Sequence, residues 1–387
     1  MLTSADRGDA TPALLPVYAQ MPVVPVSGRG CWLTDANGNE WLDAYGGHAV
    51  SSTGHSHPHV VRAICEQAGR LLFYSAAVYL GIREQLAEAL VARCPAPLDR
   101  VFLCNSGAEA NENALHLARR ATGRRTIVSV EGGWHGRTVA ALACTDGPKY
   151  AAWAEGAGMP LSRKVPFDDI SALERALDGS VAAFIVEPVQ GMAGARDVSP
   201  EFLRAARELC DRHGAALIFD EVQCGVGRGG AFTAAESYGV TPDALTLAKG
   251  LASGLPAAAV IAGPRLTDGV QLGDLGTTFG GGPVACAAAM ATIEVLDRED
   301  LVTNASRVGE YIAEGARRVG VRHVSGRGLL LGLHLDRPAA GVQRALFGRR
   351  ILTGTSGDPA VLRLLPPLTF TTSEADLLLA GLEEALR

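Results

Sequence analysis

Between residues 60 and 275 the chain repeats one pattern: short apolar runs of strand length alternate with amphipathic stretches of helix length. "RVFLCNSG", "RTIVSV", "VAAFIVEPVQ", "AALIFDEVQ", "ALTLA" and "AAAVIAG" have the near-continuous apolar character of strands buried on both faces. "AEANENALHLARRATG" and "PEFLRAARELCDRHG" lie between them and carry helical periodicity. Buried strands alternating with helices specify an α/β fold with a mostly parallel sheet flanked by helices. In such a sheet ligands gather outside the carboxyl ends of the strands. The residues that follow each apolar run are therefore the candidates for function.

The flanks differ. Residues 1–48 are Pro- and Gly-rich, and "GCWLTDANGNEWLDAY" reads as a hairpin turning at Asn37-Gly38. After residue 284, two long helical stretches and a few short strands close the chain, ending in "SEADLLLAGLEEALR". A length of 387 residues exceeds one typical core. The expectation is a large domain over 49–284 and a smaller α+β domain assembled from 1–48 and 285–387.

Composition excludes several classes. A net charge of −6 argues against a nucleic-acid partner, which requires a basic face. The longest nearly apolar stretch, "LASGLPAAAVIAG", is broken by Gly and Pro and is too short for a membrane span. The N-terminus lacks the basic start and apolar core of a secretion signal. Eight cysteines are scattered singly, with no C-x-x-C, which fits reduced thiols and a cytoplasmic location and suggests no metal cluster.

Three strand ends stand out. After "VFLC", Asn105-Ser106-Gly107-Ala108-Glu109 opens a helix. Small residues there leave backbone N–H groups free for a phosphate, although Ser106 would equally make an ordinary cap. After "AALIF" comes Asp220-Glu221-Val222-Gln223, two acids where a functional carboxylate is expected. After "ALTLA" comes Lys249, one of only three lysines. Lys149 and Lys164 read as lying in polar, turn-like surroundings, whereas Lys249 ends an apolar run. A buried ammonium without a partner is costly, so this lysine is expected to do what arginine cannot: form a Schiff base with a carbonyl. A lysine amine, a carboxylate and a phosphate seat are the parts that hold pyridoxal phosphate.

The motifs "FLCNSGAEANENALHLAR", "WHGRT", "VEPVQG", "LIFDEVQCGVGR", "LTLAKG", "GTTFGGGPVACAAA" and "LRLLPPL" occur in that order. From about Tyr18 to the C-terminus the chain resembles the class III (fold type I) pyridoxal-phosphate aminotransferases and, within them, the acetylornithine-type enzymes. The resemblance implies the following roles. Lys249 is the catalytic Schiff-base lysine and Asp220 the partner of the cofactor's pyridine nitrogen. Ser106, Gly107 and Ala108 form the phosphate loop. Trp134 stacks on the ring, Val222 packs on a ring face, and Gln223 reaches the phenolic oxygen, with Glu221 beside them on the cofactor side. Thr278 reaches the cofactor phosphate of a second subunit, making the active site that of a homodimer. Arg137 binds the distal carboxylate of the substrate and Arg363 the α-carboxylate of 2-oxoglutarate, with Glu187 and Thr277 near the substrate. The implied reaction moves the δ-amino group of N2-acetylornithine to 2-oxoglutarate, giving N-acetylglutamate 5-semialdehyde and glutamate. N-succinylornithine, ornithine, an N-acylated lysine-pathway donor and 4-aminobutyrate are the alternative donors. An aminomutase or decarboxylase on the same fold is the more remote reading.

The match breaks in two places. Ornithine-type relatives have a second Glu in the "EP-x-Q-G" motif that pairs with the arginine matching Arg363; Met192 stands here and cannot. Gly282 replaces the Asn of "GGNP". Two motifs are decoys. "GVGRGG" (225–230) fits G-x-G-x-x-G but is separated from its strand by "DEVQC". "GHSHPH" spaces three histidines as a metal site might, yet the family has a similar turn without metal. His48, His116 and His213 read as unremarkable.

Overall fold

The computed structural model describes Ala13 and residues 15–387. Its centre is a seven-stranded sheet made of β1 (Arg100–Cys104), β2 (Thr126–Val130), β3 (Arg163–Val165), β4 (Val181–Val186), β5 (Ala216–Asp220), β6 (Ala244–Leu247) and β7 (Ala258–Ala262). The strand order is β1-β7-β6-β5-β4-β2-β3. The pairs from β6 through β5, β4 and β2 to β3 are parallel, and β7 runs antiparallel to both β6 and β1. All six strands expected from the apolar runs are present. The addition is β3, "RKV", a three-residue edge strand too short and too polar to show a period. The reversal at β7 has a plain cause. The β6–β7 connection holds only a 3₁₀ turn, Lys249–Ala252, and a parallel return needs a longer crossover.

Every residue of β4, β5, β6 and β7 is buried, because helices cover both faces. Helix Gly107–Thr122 packs across β4 to β7, and helix Pro200–His213 packs on β4 and β5. Both read directly from sequence: each has an oxygen cap, Ser106 or Ser199, and a left-handed glycine at its end, Gly123 or Gly214.

The terminal segments meet. Pro25–Arg29, Trp32–Asp35 and Glu40–Asp43 form an antiparallel meander, and Ile351–Leu352 joins it in parallel beside Glu40–Asp43. The turn at Asn37-Gly38 is held by Asp35 Oδ1, which accepts from the backbone N–H of Asn37 and Asn39, both at 2.9 Å. A second antiparallel sheet joins His323–Arg327, Leu330–His334, Val361–Leu364 and Gly354–Thr355. Four helices, not two, occupy the region after residue 282: Pro283–Arg298, Leu301–Arg318, Ala339–Gly348 and Thr372–Leu386. Asp300, at φ 49°, separates the first two. Among the described residues no helix is long and apolar enough to cross a membrane.

Lys164 corrects the sequence reading. It lies on β3, not in a turn, and its Nζ donates to Ser129 Oγ at 2.9 Å and to the Cys144 carbonyl. Burial pulls its pKa down, so Lys249 is not alone in an apolar setting. The glycine-rich decoy "GVGRGG" forms a turn around a buried arginine. Arg228 donates from Nη1 to the Leu329 carbonyl at 3.1 Å and to that of Pro366, tying this turn to the C-terminal region.

Candidate active site

A cavity of about 470 Å³ opens at the carboxyl ends of β1, β4, β5 and β6. Its lining includes Ser106, Gly107, Ala108, Trp134, Arg137, Glu187, Asp220, Val222, Gln223 and Lys249. The structure thus gathers ten of the fourteen residues singled out from sequence.

Asp220 ends β5 and is almost fully buried. Its Oδ2 accepts from Asn111 Nδ2 at 2.6 Å and meets His135 Nδ1 at 2.8 Å, while Oδ1 accepts from the Val222 N–H at 3.1 Å. Asn111 is itself held: Nδ2 also donates to the His135 carbonyl at 2.8 Å, and Oδ1 accepts from Thr246 Oγ1 at 2.8 Å. A carboxylate so held keeps one orientation and presents a fixed negative charge to the cavity.

Lys249 follows β6 in a left-handed conformation, φ 42°. Its amine makes no hydrogen bond or ion pair among the described residues and faces the cavity. Burial lowers its pKa, against the pull of the Asp220 and Glu187 charges. The neighbouring glycine is required by contact: a Cβ on Gly250 would lie 2.2 Å from Ser52 Oγ.

At the end of β1, the helix opening is capped and its first N–H groups are left free. Ser106 caps through a reciprocal box: its Oγ accepts from the Glu109 N–H at 3.2 Å, and Glu109 Oε2 accepts from the Ser106 N–H at 2.9 Å. The N–H groups of Gly107 and Ala108 lie in the first turn, beyond the reach of intrahelical acceptors. They border the cavity and constitute an anion seat.

Trp134 donates its backbone N–H to Glu187 Oε1 at 2.7 Å, and its ring meets Tyr150 edge-on at 5.1 Å. Glu187 is buried, and burial followed by the charge of Asp220 holds its carboxyl above the ordinary range. Arg137 is exposed at the rim, its guanidinium 5.1 Å from the Trp134 ring.

The chain as a whole is similar to known proteins. The family model "Aminotransferase class-III" covers residues 15–386. The chain belongs to the class-III aminotransferases. It is 44% identical to an acetylornithine aminotransferase of Methanopyrus kandleri, over 96% of both chains, and 41% identical to one of Archaeoglobus fulgidus, over 94% of this chain and 95% of that one. Among solved structures, an ornithine aminotransferase of Toxoplasma gondii is 33% identical with a TM-score of 0.90, covering 97% of this chain and 92% of that chain. An acetylornithine aminotransferase of Elizabethkingia anophelis is 31% identical with a TM-score of 0.85, over 96% of each chain. A further structure of the Toxoplasma gondii enzyme is described with partial occupancy of PLP at its active site.

As a class-III aminotransferase the chain is a pyridoxal-phosphate-dependent transaminase. Its own residues fit that group. The donor set supplies an unpartnered amine, a fixed carboxylate, free N–H groups at a helix start and an aromatic wall, all on one cavity. Glycine at 107 is part of the cradle, because a Cβ there would lie 2.5 Å from Val222 Cγ1.

Four sequence candidates stand elsewhere. Glu221 points away from the cavity, where it accepts from the N–H groups of Ala234 (2.5 Å) and Ala235 (2.9 Å) and caps helix Ala234–Tyr238. Its expected place on the cofactor side is corrected: successive side chains at a strand end point to opposite sides, and Asp220 takes the cavity. Thr277 holds the loop, its Oγ1 accepting from Asn105 Nδ2 at 3.3 Å and from the Gly280 N–H at 3.1 Å. Thr278 is exposed, as is the adjoining Phe279. Arg363 is buried on strand Val361–Leu364 and does not line the cavity. Sequence reasoning missed Asn111 and His135. Asn111 is four residues beyond Gly107, on the same helix face, and His135 lies inside "WHGRT", so position alone was the available signal. It also passed over His48, whose carbonyl accepts from Gln223 Nε2 at 3.4 Å.

Proposed function

We propose that the chain transfers the δ-amino group of N2-acetylornithine to 2-oxoglutarate, giving N-acetylglutamate 5-semialdehyde and glutamate, a step of arginine biosynthesis. The observation that carries the chemistry is the unpartnered Lys249 amine on the same cavity as the triply bonded Asp220 carboxylate. The choice of donor is supported by relatives named acetylornithine aminotransferase at 38–44% identity over nearly the whole chain.

In this reading Lys249 is the residue that would hold the cofactor, through its amine. With the donor's amine in its place, Lys249 Nζ would stand free to take the proton from the substrate carbon and to hold it as a general acid. The cofactor, when bound, supplies a conjugated ring that accepts the electron pair that the proton leaves behind. Asp220 keeps the ring nitrogen protonated, and Asn111 and His135 hold Asp220 in place for that task. The N–H groups of Gly107 and Ala108, with Ser106, hold the phosphate. Trp134 and Val222 flank the ring, and Gln223 serves its phenolic oxygen. Arg137 receives the distal carboxylate of the substrate, and Arg363 the α-carboxylate of 2-oxoglutarate, because a guanidinium holds a carboxylate with two parallel hydrogen bonds. Glu187 and Thr277 border the substrate.

We place the working unit as a cytoplasmic homodimer in which Thr278 serves the partner's cofactor phosphate. Support comes from the exposed apolar side chains around it: Phe279 and Phe73, 5.2 Å apart, with Leu72 and Tyr74 also exposed.

A single-turnover experiment tests the donor. The PLP form is mixed with N2-acetylornithine and no keto acid, and loss of its visible absorbance is followed. Fast conversion at low donor concentration, with ornithine and 4-aminobutyrate slow, is expected. Conversion with another amine of the panel but none with N2-acetylornithine would overturn the donor and keep the chemistry.

A further inference from the structure

Arg363 is buried, yet it forms no ion pair among the described residues. Its Nε donates to the Thr355 carbonyl at 2.7 Å and its Nη1 to the Gly191 carbonyl at 3.1 Å. Its one side-chain partner among the described residues is the Tyr45 hydroxyl, which accepts from Nη2 at 2.8 Å. With its oxygen accepting from the arginine, that hydroxyl has one proton to give. Its other neighbour is His48 Nδ1, at 2.8 Å. In the Nε2–H tautomer of His48 the phenol proton lies on the side of His48, and Nδ1 accepts it. Burial first, then the charges of Arg363 and Lys249, pull the His48 pKa down, which favours the neutral ring with one bare nitrogen.

The backbone is shaped for this contact. Gly46, Gly47, His48 and Ala49 are all left-handed, with φ of 55°, 57°, 68° and 65°, and two of the four are not glycine. Strain of this kind persists where surrounding structure enforces it, and it collects at functional sites. Here Asp43 Oδ1 enforces it, accepting from the N–H of Tyr45 at 2.9 Å and of Gly46 at 2.8 Å. On the far side, Gly354 is the strand partner of Arg363, and a Cβ on Gly354 would lie 1.9 Å from Tyr45 Cε2. The phenol ring rests on bare backbone directly beside the arginine.

We propose that Tyr45 and His48 are positioning residues for carboxylate recognition: His48 orients the Tyr45 hydroxyl, and the hydroxyl fixes the Arg363 fork that receives the 2-oxoglutarate carboxylate. The proposal rests on the reading of Arg363 given above. A neutral phenol stands where Met192 supplies no acidic partner, so the incoming carboxylate meets an aligned guanidinium that no carboxylate already holds in an ion pair among the described residues.

The test uses the PLP-loaded enzyme and two readouts: steady-state KM and kcat for 2-oxoglutarate, and the calorimetric Kd of glutarate, which has both carboxylates and no keto group. Tyr45→Phe is expected to raise both KM and Kd about tenfold, the value of one hydrogen bond to a charged group, with a smaller change in kcat. His48→Ala should do the same without touching the ring, and so serves if Tyr45→Phe does not fold. His48→Asn keeps an acceptor and tolerates the left-handed backbone, so it should stay near wild type. The double variant Tyr45→Phe/His48→Ala should be no worse than Tyr45→Phe, because the two act as one chain. Arg363→Lys is the control. If it impairs both readouts while Tyr45→Phe and His48→Ala leave them unchanged, the relay is overturned alone. If Arg363→Lys itself changes neither, the carboxylate reading of Arg363 falls and the relay falls with it.

Discussion

Gly107→Ala probes the cofactor cradle with a single methyl group. The new Cβ would sit 2.5 Å from Val222 Cγ1 and 2.9 Å from Cγ2, closer than packed carbons approach. Gly107 has no positive φ, so the backbone tolerates alanine, and helix propensity returns up to about 1 kcal/mol. Forcing a methyl into this contact costs about 1–3 kcal/mol. Val222 is β-branched and stiff at χ1, so it cannot simply turn away. Either its methyl groups move toward the ring position, or the helix start retreats and takes the Gly107 and Ala108 N–H groups with it. Stability should therefore fall by no more than about 3 kcal/mol, while cofactor binding falls about tenfold. The assay is an equilibrium titration of cofactor-free protein with PLP, followed by absorbance, for wild type, Gly107→Ala, Val222→Ala and the double variant. In the Val222→Ala background the Gly107→Ala step should cost much less, since the two nearest atoms are gone and only the Cβ at position 222 remains, 3.3 Å away. Unchanged affinity in Gly107→Ala, or a full loss that persists beside Val222→Ala, would refute the reasoning.

Further outcomes follow from the same geometry. Lys249→Ala should fold and bind no aldehyde covalently, with turnover lost; retained activity would refute the assignment. Asp220→Asn removes a charge opposite the protonated ring nitrogen, worth about 4 kcal/mol at close range and an effective dielectric near 20, so the donor half-reaction should slow by about three orders of magnitude; a loss under tenfold would show that Asp220 does not carry this role. Burial lowers the Lys249 pKa, so the neutral amine appears below the ordinary 10.5. The rate of cofactor capture by the cofactor-free protein should thus rise with pH and level off below that value, and folding stability should rise from the folded-state pKa up to the ordinary 10.5, because over that window the unfolded chain still binds the proton the folded chain has lost; a midpoint of capture at 10.5 or above would count against it. Met192→Glu places a carboxylate one residue from the Gly191 carbonyl that Arg363 already touches, and is expected to raise the KM for 2-oxoglutarate and to narrow donor choice, as measured with the donor panel; an unchanged profile would sink the idea.

What the sequence showed, and what it hid, divides by range. Six strands of the central sheet were legible because strands buried on both faces must be apolar throughout, and that leaves a local mark. The three residues of β3 leave none, and Lys164 on that strand was misread because its two acceptors, Ser129 and the Cys144 carbonyl, come from distant segments. Asp220 and Lys249 were legible because they follow strands. Glu221 was placed wrongly because adjacency in sequence was allowed to outweigh alternation in space. The support of Asp220 was not legible at all: Asn111 and His135 stand 109 and 85 residues away and meet it only in the fold.

The stretch "YGGHAV" shows where local reasoning stops. Two glycines predict a left-handed turn of two residues, yet the chain continues left-handed through His48 and Ala49. Local hydrogen bonds close the turn, Ala49 N–H to the Tyr45 carbonyl at 3.2 Å and Val50 N–H to the Gly46 carbonyl at 2.8 Å, but they work against a Cβ crowded by its own backbone. It is held from outside, by the Asp43 carboxylate below, by Gln223 on the His48 carbonyl, and by Arg363 through the Tyr45 hydroxyl. Those three partners lie on the N-terminal meander, at the end of β5, and on a C-terminal strand. A turn that only three separate parts of the fold can hold is one that reports on all of them. Loosening any one should release the strain and move His48, and that motion would be felt at Gln223 and Arg363 together.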